Sequence, residues 1–305
     1  MKKRDIKRNQ KILKTMLTGA LLAFFVGIMF LTAGALKKDP GGITVSDPES
    51  FSSGESIPIP PSDSRESGSS VETAGGDSSL AESGKEAEKN GFIVCIDPGH
   101  EAEQIKELEP NAPGSDVMKQ GVTSGAYGEA SGKNEYEINL EVSLLLRDEL
   151  TERGYEVVMT RETHEVRISN IERAKIAADA GADILVRIHC NGVDNKTVQG
   201  VLCYGPSLAN PYLSKDIITK SQKLCVLLRD GQCASTGQLA RENLYEDNMT
   251  GINWATMPVS IVEMGFMSNA EEDLYMASRE GQEAIAKGLA DGVDDYFKEY
   301  PKKDS

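Results

Sequence analysis

From Phe92 to Tyr300 the sequence alternates between short apolar runs and longer stretches with helical periodicity. This alternation limits the possible folds more strongly than any other feature. The runs predicted to form strands are FIVCI, YEVVMT, DILVRI, VQGVLCYG and PVSIVEMG, and helices are predicted at about 134–153, 168–182, 214–229 and 282–300. Strands that alternate with helices favour a parallel sheet. We therefore predict an α/β fold, with a mostly parallel twisted sheet flanked by helices on both faces of a single domain.

The N-terminal part of the chain has a different pattern. Residues 1–15 are basic, and Met16–Leu36 is a run of 21 residues without a charge, about the length that crosses a bilayer as a helix. The basic flank predicts a cytoplasmic N-terminus, which would place the rest of the chain outside the cell membrane as a single-pass protein. A cleaved signal peptide, with AGA at 33–35 as its cleavage site, is the alternative and would secrete the chain. We favour the anchor because the run is long for a signal peptide.

The next segment, 37–90, is rich in Ser, Gly, Pro and acidic residues and has almost no apolar periodicity. Such a composition predicts a disordered linker. Residues 1–36, 37–90 and 91–305 are thus predicted to be the basic tail with its membrane segment, the linker and the folded domain. Residues 1–40 and 41–90 carry net charges of +7 and −7, so the domain carries the full −15. An acidic domain argues against a nucleic-acid partner, and membrane contact is expected only through the N-terminal helix. The oligomeric state is open.

Three of the predicted strands end in side chains that can bind a metal or move a proton. His100 follows FIVCIDPG, His189 ends DILVRIH, and Glu263 ends PVSIVE. Because ligands bind beyond the carboxyl ends of the strands in open α/β sheets, we expect these residues to meet at one edge. Two imidazoles with carboxylates are donors typical of a catalytic zinc site, which has three protein ligands and an open position for water.

A further ligand is available at the start of the first long helix, where Glu135 and Glu137 lie in GKNEYEINL. Asn134 and Glu137 have the spacing of a capping box, which gives Glu137 a structural role. Glu135 is either a metal ligand or a charge that the helix dipole favours at this end. Its position alone does not decide between these two roles.

Five segments resemble, in order, the zinc-dependent N-acetylmuramoyl-L-alanine amidases of the Amidase_3 type. They are VCIDPGH, EYEINLEVSLLLRDELTERGYEVVMTRET, ERAKIA, ILVRIHCNG and MPVSIVEMGFMSNAEED. The resemblance implies a cell-wall hydrolase that cleaves the amide between the lactyl group of N-acetylmuramic acid and the L-alanine of the stem peptide. It also implies one Zn²⁺ per domain, held by His100, Glu135 and His189, with Glu263 acting on the water, and peptidoglycan as the partner.

The chain departs from the family pattern in two places. Where many members have Ser-Ile-His-Ala-Asn, this sequence has Arg187, His189, Cys190 and Asn191, with Arg and Cys in place of Ser and Ala. Strand alternation would place Arg187 on the same face as His189, so it contacts substrate, contacts an acid behind the ligands, or forms a salt bridge without a functional role. The segment 101–133 is longer than the loop of many members and is a candidate lid.

Two local features give further expectations. Asp97-Pro98-Gly99-His100 fits a type II turn, which would end the first strand at Asp97. The five cysteines are an odd number, so at least one is free, and a bridge between Cys225 and Cys233 is open. Two rival functions are also open: a catalytically silent relative that binds peptidoglycan or regulates an enzyme, and another zinc hydrolase of the wall, such as a peptidase or a deacetylase.

Overall fold

The structure is a computed structural model that describes residues 89–302. The predicted membrane segment and nearly all of the predicted linker lie outside these residues, so that division of the chain stays a prediction. Within 89–302, no helix combines the length and the apolar character needed to cross a membrane.

The domain is built on a six-stranded sheet. Its strands are β1 (Ile93–Pro98), β4 (Glu156–Met159), β5 (Ile184–Asn191), β6 (Leu202–Gly205), β7 (Leu244–Tyr245) and β8 (Val259–Phe266), and their order is β4-β1-β5-β8-β6-β7. All neighbouring strands are parallel except the pair of β6 and β8, which is antiparallel. β2 (Ile105–Pro110) and β3 (Met118–Val122) form a separate antiparallel pair. The predicted mostly parallel sheet is confirmed.

Helices cover both faces of this sheet, as predicted. They are α1 (Glu135–Glu152), α2 (Asn170–Asp179), α3 (Lys215–Thr236), α4 (Thr250–Asn253), α5 (Ala270–Ala277) and α6 (Arg279–Glu299). Apolar side chains of α1, α3 and α6 form one core with the sheet, and those of α2 and α4 belong to a second core. Every residue of the central strands β5 and β8 is buried. The two layers hold these strands, and the residues at their ends, in a rigid surrounding.

The first strand does not turn at Asp97. Asp97 and Pro98 pair with Arg187 and Ile188 of β5, so the strand continues through Pro98. A type II turn would need a positive φ at Gly99, but the positive φ in this segment belongs to His100, at +58°. The predicted turn is therefore wrong, because the pairing with β5 extends the strand and moves the change of direction to His100.

All five cysteines are free in the structure, including Cys225 and Cys233. These two residues lie eight positions apart on α3, which separates them by about 12 Å along the helix axis and puts a bridge out of reach. Burial raises the pKa of Cys225 to about 12 and that of Cys233 to about 11. Both thiols stay protonated at neutral pH.

Candidate metal centre

Three of the predicted site residues meet at the carboxyl edge of the sheet. His100 follows β1, His189 lies in β5, and Glu135 is the first residue of α1. Glu135 Oε1 lies 3.2 Å from His100 Nε2 and 3.2 Å from His189 Nδ1. The three side chains are almost fully buried, and one ligand atom from each lies within 4.8 Å of the others. The packing of α1 against β5 and β1 thus brings together residues that are far apart in the sequence.

Glu135 is held by several N–H donors. Its Oε2 accepts from Ala126 N at 2.8 Å, and its Oε1 accepts from Cys190 N at 3.0 Å and from Asn139 Nδ2 at 3.3 Å. Burial opposes ionisation, but His100 and then His189, which both contact the carboxylate, outweigh it and lower the pKa of Glu135 well below its ordinary range. Its carboxylate is ionised, and a metal ligand must be. Glu137 forms the predicted capping box, since its Oε2 accepts from Asn134 N at 2.7 Å.

The orientation of His100 is set by Thr123. His100 Nδ1 lies 3.0 Å from the carbonyl oxygen of Thr123 and 2.9 Å from its hydroxyl. A carbonyl can only accept a hydrogen bond, so Nδ1 carries the proton and the lone pair is on Nε2. His100 Nε2 is buried and has no hydrogen-bond partner among the described residues. It is therefore available as a metal ligand, in the tautomer that a hydrogen bond to the other ring nitrogen selects.

Glu263 lies beside this cluster in a contrasting environment. It sits in β8, opposite His189 of β5 in the strand register, and its side chain has no solvent exposure. Neither carboxylate oxygen has a hydrogen-bond partner within residues 89–302. Burial, and then the charge of Glu135, raise the pKa of Glu263 well above its ordinary range. A buried carboxyl group with a raised pKa beside a candidate metal centre is a candidate acid or base.

The donors present fit a zinc ion. Two imidazoles and one carboxylate are ligands that zinc accepts, and three protein ligands leave a position open for water. Two structural observations match: His100 Nε2 makes no hydrogen bond to any described residue, and the donor atoms of the three side chains are clustered. If these side chains served only to stabilise the fold, each of their buried nitrogen and oxygen atoms would be expected to have a hydrogen-bond partner.

Residues 94–295 match the family described as N-acetylmuramoyl-L-alanine amidase. The chain belongs to this family. The resemblance of its five sequence segments is thereby confirmed.

Several proteins with curated sequences or solved structures are similar to this chain over most of the domain. An N-acetylmuramoyl-L-alanine amidase of Mycobacterium tuberculosis is 25% identical over 67% of this chain and 85% of its own length. An uncharacterised Bacillus subtilis protein, YqiI, is 27% identical over 64% of this chain and 89% of its own. The crystal structure of the amidase Ami1 from Mycobacterium smegmatis superposes with a TM-score of 0.62 and 26% identity, covering 70% of this chain and 100% of Ami1.

Of the two residues near His189 that are candidates for substrate contact, Arg187 lies in a buried ion pair. Its side chain is 1% exposed, its Nε donates to Asp97 Oδ2 at 2.7 Å, and its Nη2 donates to Asn170 Oδ1 at 2.5 Å. Asn191 is buried, and its Nδ2 has no partner among the described residues. Contact of either residue with substrate stays a prediction.

Sequence reasoning missed the residues that support the ligands in this amidase fold. The segment 101–133 contains the β2–β3 pair, and its last part places Thr123 against His100 and Ala126 against Glu135. A side chain on Gly125 would lie only 2.5 Å from Glu135 Oε2, so the glycine permits this close approach. Glycines in GVTSGAYGEASG were the only local signal, and glycines alone do not reveal which groups the backbone approaches. The role of the segment as a lid stays a prediction.

Proposed function

We propose that this chain hydrolyses peptidoglycan at the amide between the lactyl group of N-acetylmuramic acid and the L-alanine of the stem peptide. One observation carries the proposal: in a chain of this family, the buried cluster of His100, Glu135 and His189 lies beside Glu263, whose carboxylate has no hydrogen-bond partner in the part of the chain that the structure describes. The name of the mycobacterial relative, an N-acetylmuramoyl-L-alanine amidase, supports the choice of bond.

In this proposal His100, Glu135 and His189 hold one Zn²⁺. The ionised Glu135 supplies a negative charge to the cation, and the Thr123 contact keeps the lone pair of His100 on Nε2. A zinc ion held there supplies a Lewis acid, which lowers the pKa of water to about 7 and polarises the carbonyl of the substrate. Both imidazoles must be neutral to act as ligands, and burial lowers the pKa of His189 to about 4, which favours its neutral form.

Glu263 transfers the proton of the reaction. Burial and the charge of Glu135 favour the protonated form of Glu263, and a divalent cation bound by the three ligands would favour the carboxylate. The carboxylate then accepts a proton from the attacking water and returns it to the nitrogen of L-alanine as the amide bond breaks. The products are a lactyl carboxylate on the glycan and a stem peptide with a free amine. Since no residue of 89–302 donates a hydrogen bond to Glu263, both of its oxygens are available for this transfer.

Digestion of purified peptidoglycan, followed by mass spectrometry, tests the proposal. We expect intact stem peptides with a free L-alanine amine, and no such release by the Glu263→Gln variant prepared in parallel. Shortened stem peptides would identify a peptidase, and released acetate would identify a deacetylase. Binding to peptidoglycan without any product would identify a catalytically silent relative. Each of these three results would contradict the proposal.

The proposed substrate places the domain outside the cell membrane. The basic N-terminus and the uncharged run Met16–Leu36 support a single-pass anchor with the domain on the outer side. Protease added to intact spheroplasts should then degrade the domain and leave an N-terminal fragment in the membrane fraction. A domain that resists the protease until the membrane is dissolved would contradict this location. A chain that lacks the first 36 residues and is found in the medium would indicate cleavage and secretion.

A further inference from the structure

Arg161 is a buried cation without an acidic partner. Its side chain lies just after β4, is 3% exposed, and makes no ion pair with any described residue. The guanidinium instead donates to four backbone carbonyls: Nε to Pro98 O at 2.9 Å, and Nη2 to Gly99 O at 3.0 Å and Tyr136 O at 2.8 Å, with Nη1 to Thr163 O at 3.2 Å. Burial, and then the charge of Arg173, lower its pKa to about 9, so it remains charged at neutral pH.

Three of the four carbonyls that Arg161 binds lie next to two of the three ligands. Pro98 and Gly99 immediately precede His100, and Tyr136 immediately follows Glu135. The two ligands belong to different elements, since His100 follows β1 and Glu135 begins α1. A planar guanidinium can bind several carbonyls at fixed angles, and here it joins the two backbone segments that carry the ligands.

The backbone at His100 needs such support. His100 has a φ of +58°, a conformation that is costly for a residue with a side chain and persists only where the surroundings enforce it. Arg173 holds the same segment from another side, because its Nη1 donates to Pro98 O at 2.7 Å and its Nη2 to His100 O at 3.2 Å. Arg173 is also paired with Asp97 at 2.7 Å, which accounts for its burial. No such ion pair accounts for the burial of Arg161.

We propose that Arg161 is a positioning residue for the metal centre, and that it sets the spacing between His100 and Glu135. This inference rests on the proposed function, because it assumes that these residues hold a metal. Metal sites require ligand positions fixed to about half an ångström. Loss of the bonds from Arg161 to either segment should thus weaken zinc binding before it affects the rest of the fold.

The test compares zinc affinity with stability in three variants of the full-length chain. Arg161→Lys keeps the positive charge, but a lysine ammonium cannot bind the same set of carbonyl oxygens at once. Arg153→Lys makes the same chemical change at the far end of α1, where Arg153 pairs with Glu149 and Asp294. Leu150→Ala removes a fully buried core side chain of α1 and controls for a general loss of stability. Zinc dissociation constants come from competition with a chelator, and the visible spectrum of the Co²⁺-substituted protein reports ligand geometry.

We expect Arg161→Lys to raise the zinc dissociation constant by about 10- to 100-fold, the usual cost of removing support from a ligand, and to change the Co²⁺ spectrum. The two controls should stay within about twofold of the wild-type affinity and keep its spectrum. Wild-type affinity in Arg161→Lys, or equal weakening in Leu150→Ala, would overturn the inference.

A second variant, Arg161→Gln, covers the case in which a buried lysine prevents folding. If both Arg161 variants stay unfolded with and without zinc while Leu150→Ala folds, Arg161 serves the whole fold and the inference is wrong. If the wild-type chain itself binds no zinc, the proposed function fails instead. If wild type and Arg161→Lys both bind zinc tightly, only the proposed role of Arg161 is contradicted.

Discussion

Glu135 and Glu263 are the same residue type, lie at the same edge of the sheet and are both buried, yet their surroundings differ. Glu135 accepts hydrogen bonds from Ala126, Cys190 and Asn139 and touches both imidazoles, whereas Glu263 accepts none from any described residue. The pKa of Glu135 is lowered and that of Glu263 is raised, with burial acting on both. Environments that push two carboxyl groups apart in pKa assign them different roles. Here they indicate a ligand and a proton carrier.

The largest expected effect comes from removing the proton carrier. Glu263→Gln should lower kcat on purified peptidoglycan by about 10²- to 10⁴-fold, the range of a general acid or base. Because Glu263 has no hydrogen-bond partner among the described residues and burial disfavours its charge, the neutral glutamine should not lower the free energy of unfolding without metal. Activity within tenfold of wild type would contradict the role of Glu263, and a large loss of stability would show that its carboxyl group has partners in solution.

Asp97 is a third buried carboxylate, and it binds Arg173, Arg187 and Thr160. It tests whether bonding partners explain the difference between Glu135 and Glu263. Asp97→Asn leaves two arginines without their anion and should lower the free energy of unfolding by about 3–5 kcal/mol. Chemical denaturation measures this loss. A change below about 1 kcal/mol would mean that the ion cluster contributes little to stability. The matched control is Asp294→Asn, which removes a carboxylate from a partly exposed ion pair with Arg153.

The same residue predicts a pH dependence. Burial opposes ionisation of Asp97, but Arg173 and Arg187 outweigh it and hold its pKa well below the ordinary 3.8. Its stabilising contribution is therefore complete above about pH 4 and is lost as the pH falls below that value, by up to about 1.4 kcal/mol per pH unit. Wild type should lose stability more steeply below pH 4 than Asp97→Asn. Parallel pH profiles of the two proteins would contradict this.

A smaller effect is expected where Glu135 loses its charge but keeps its shape. Glu135→Gln should lower the free energy of unfolding, measured in the presence of a chelator, by about 1.5–3 kcal/mol, because hydrogen bonds to a charged acceptor are lost. The isosteric change at Glu263 should have no comparable effect. Equal stability of the two variants would remove the distinction between the two environments.

The smallest effect concerns Thr123. Thr123→Val removes the hydroxyl beside His100 Nδ1 but keeps the carbonyl contact, so zinc affinity should fall by about tenfold at most. Thr151→Val removes a hydroxyl that bonds only within α1, to Arg147 O, and should leave zinc affinity unchanged. Equal changes in the two variants would show that the Thr123 hydroxyl does not orient His100.

The sequence predicted those parts of the fold that depend on local pattern. Apolar runs followed by Gly or polar residues located β1, β5 and β8, and with them His100, His189 and Glu263. The antiparallel direction of β6 was not predictable, because pairing direction is not part of a strand's own periodicity. The β2–β3 pair was missed because IKELEP and MKQGV alternate too weakly between apolar and polar residues.

The metal centre was predictable only in part for a related reason. A ligand at the end of a strand leaves a local signal, but its supporting contacts come from distant parts of the chain. Thr123 contacts His100 across 23 positions, and Arg161 contacts Gly99 across 62. Asp97 was assigned to a turn because Asp-Pro-Gly is a strong turn signal, and its actual partners, Arg173 and Arg187, are not visible from its neighbours.

Zinc content tests the central claim most directly, since it separates the ligand from the proton carrier. Wild type, Glu263→Gln and Glu135→Gln, purified with zinc and dialysed together, should be compared by elemental analysis. We expect about one zinc per chain in wild type and in Glu263→Gln, and much less in Glu135→Gln. Equal loss of zinc in both variants, or full zinc in both, would contradict the assignment of Glu135 as a ligand and Glu263 as the proton carrier.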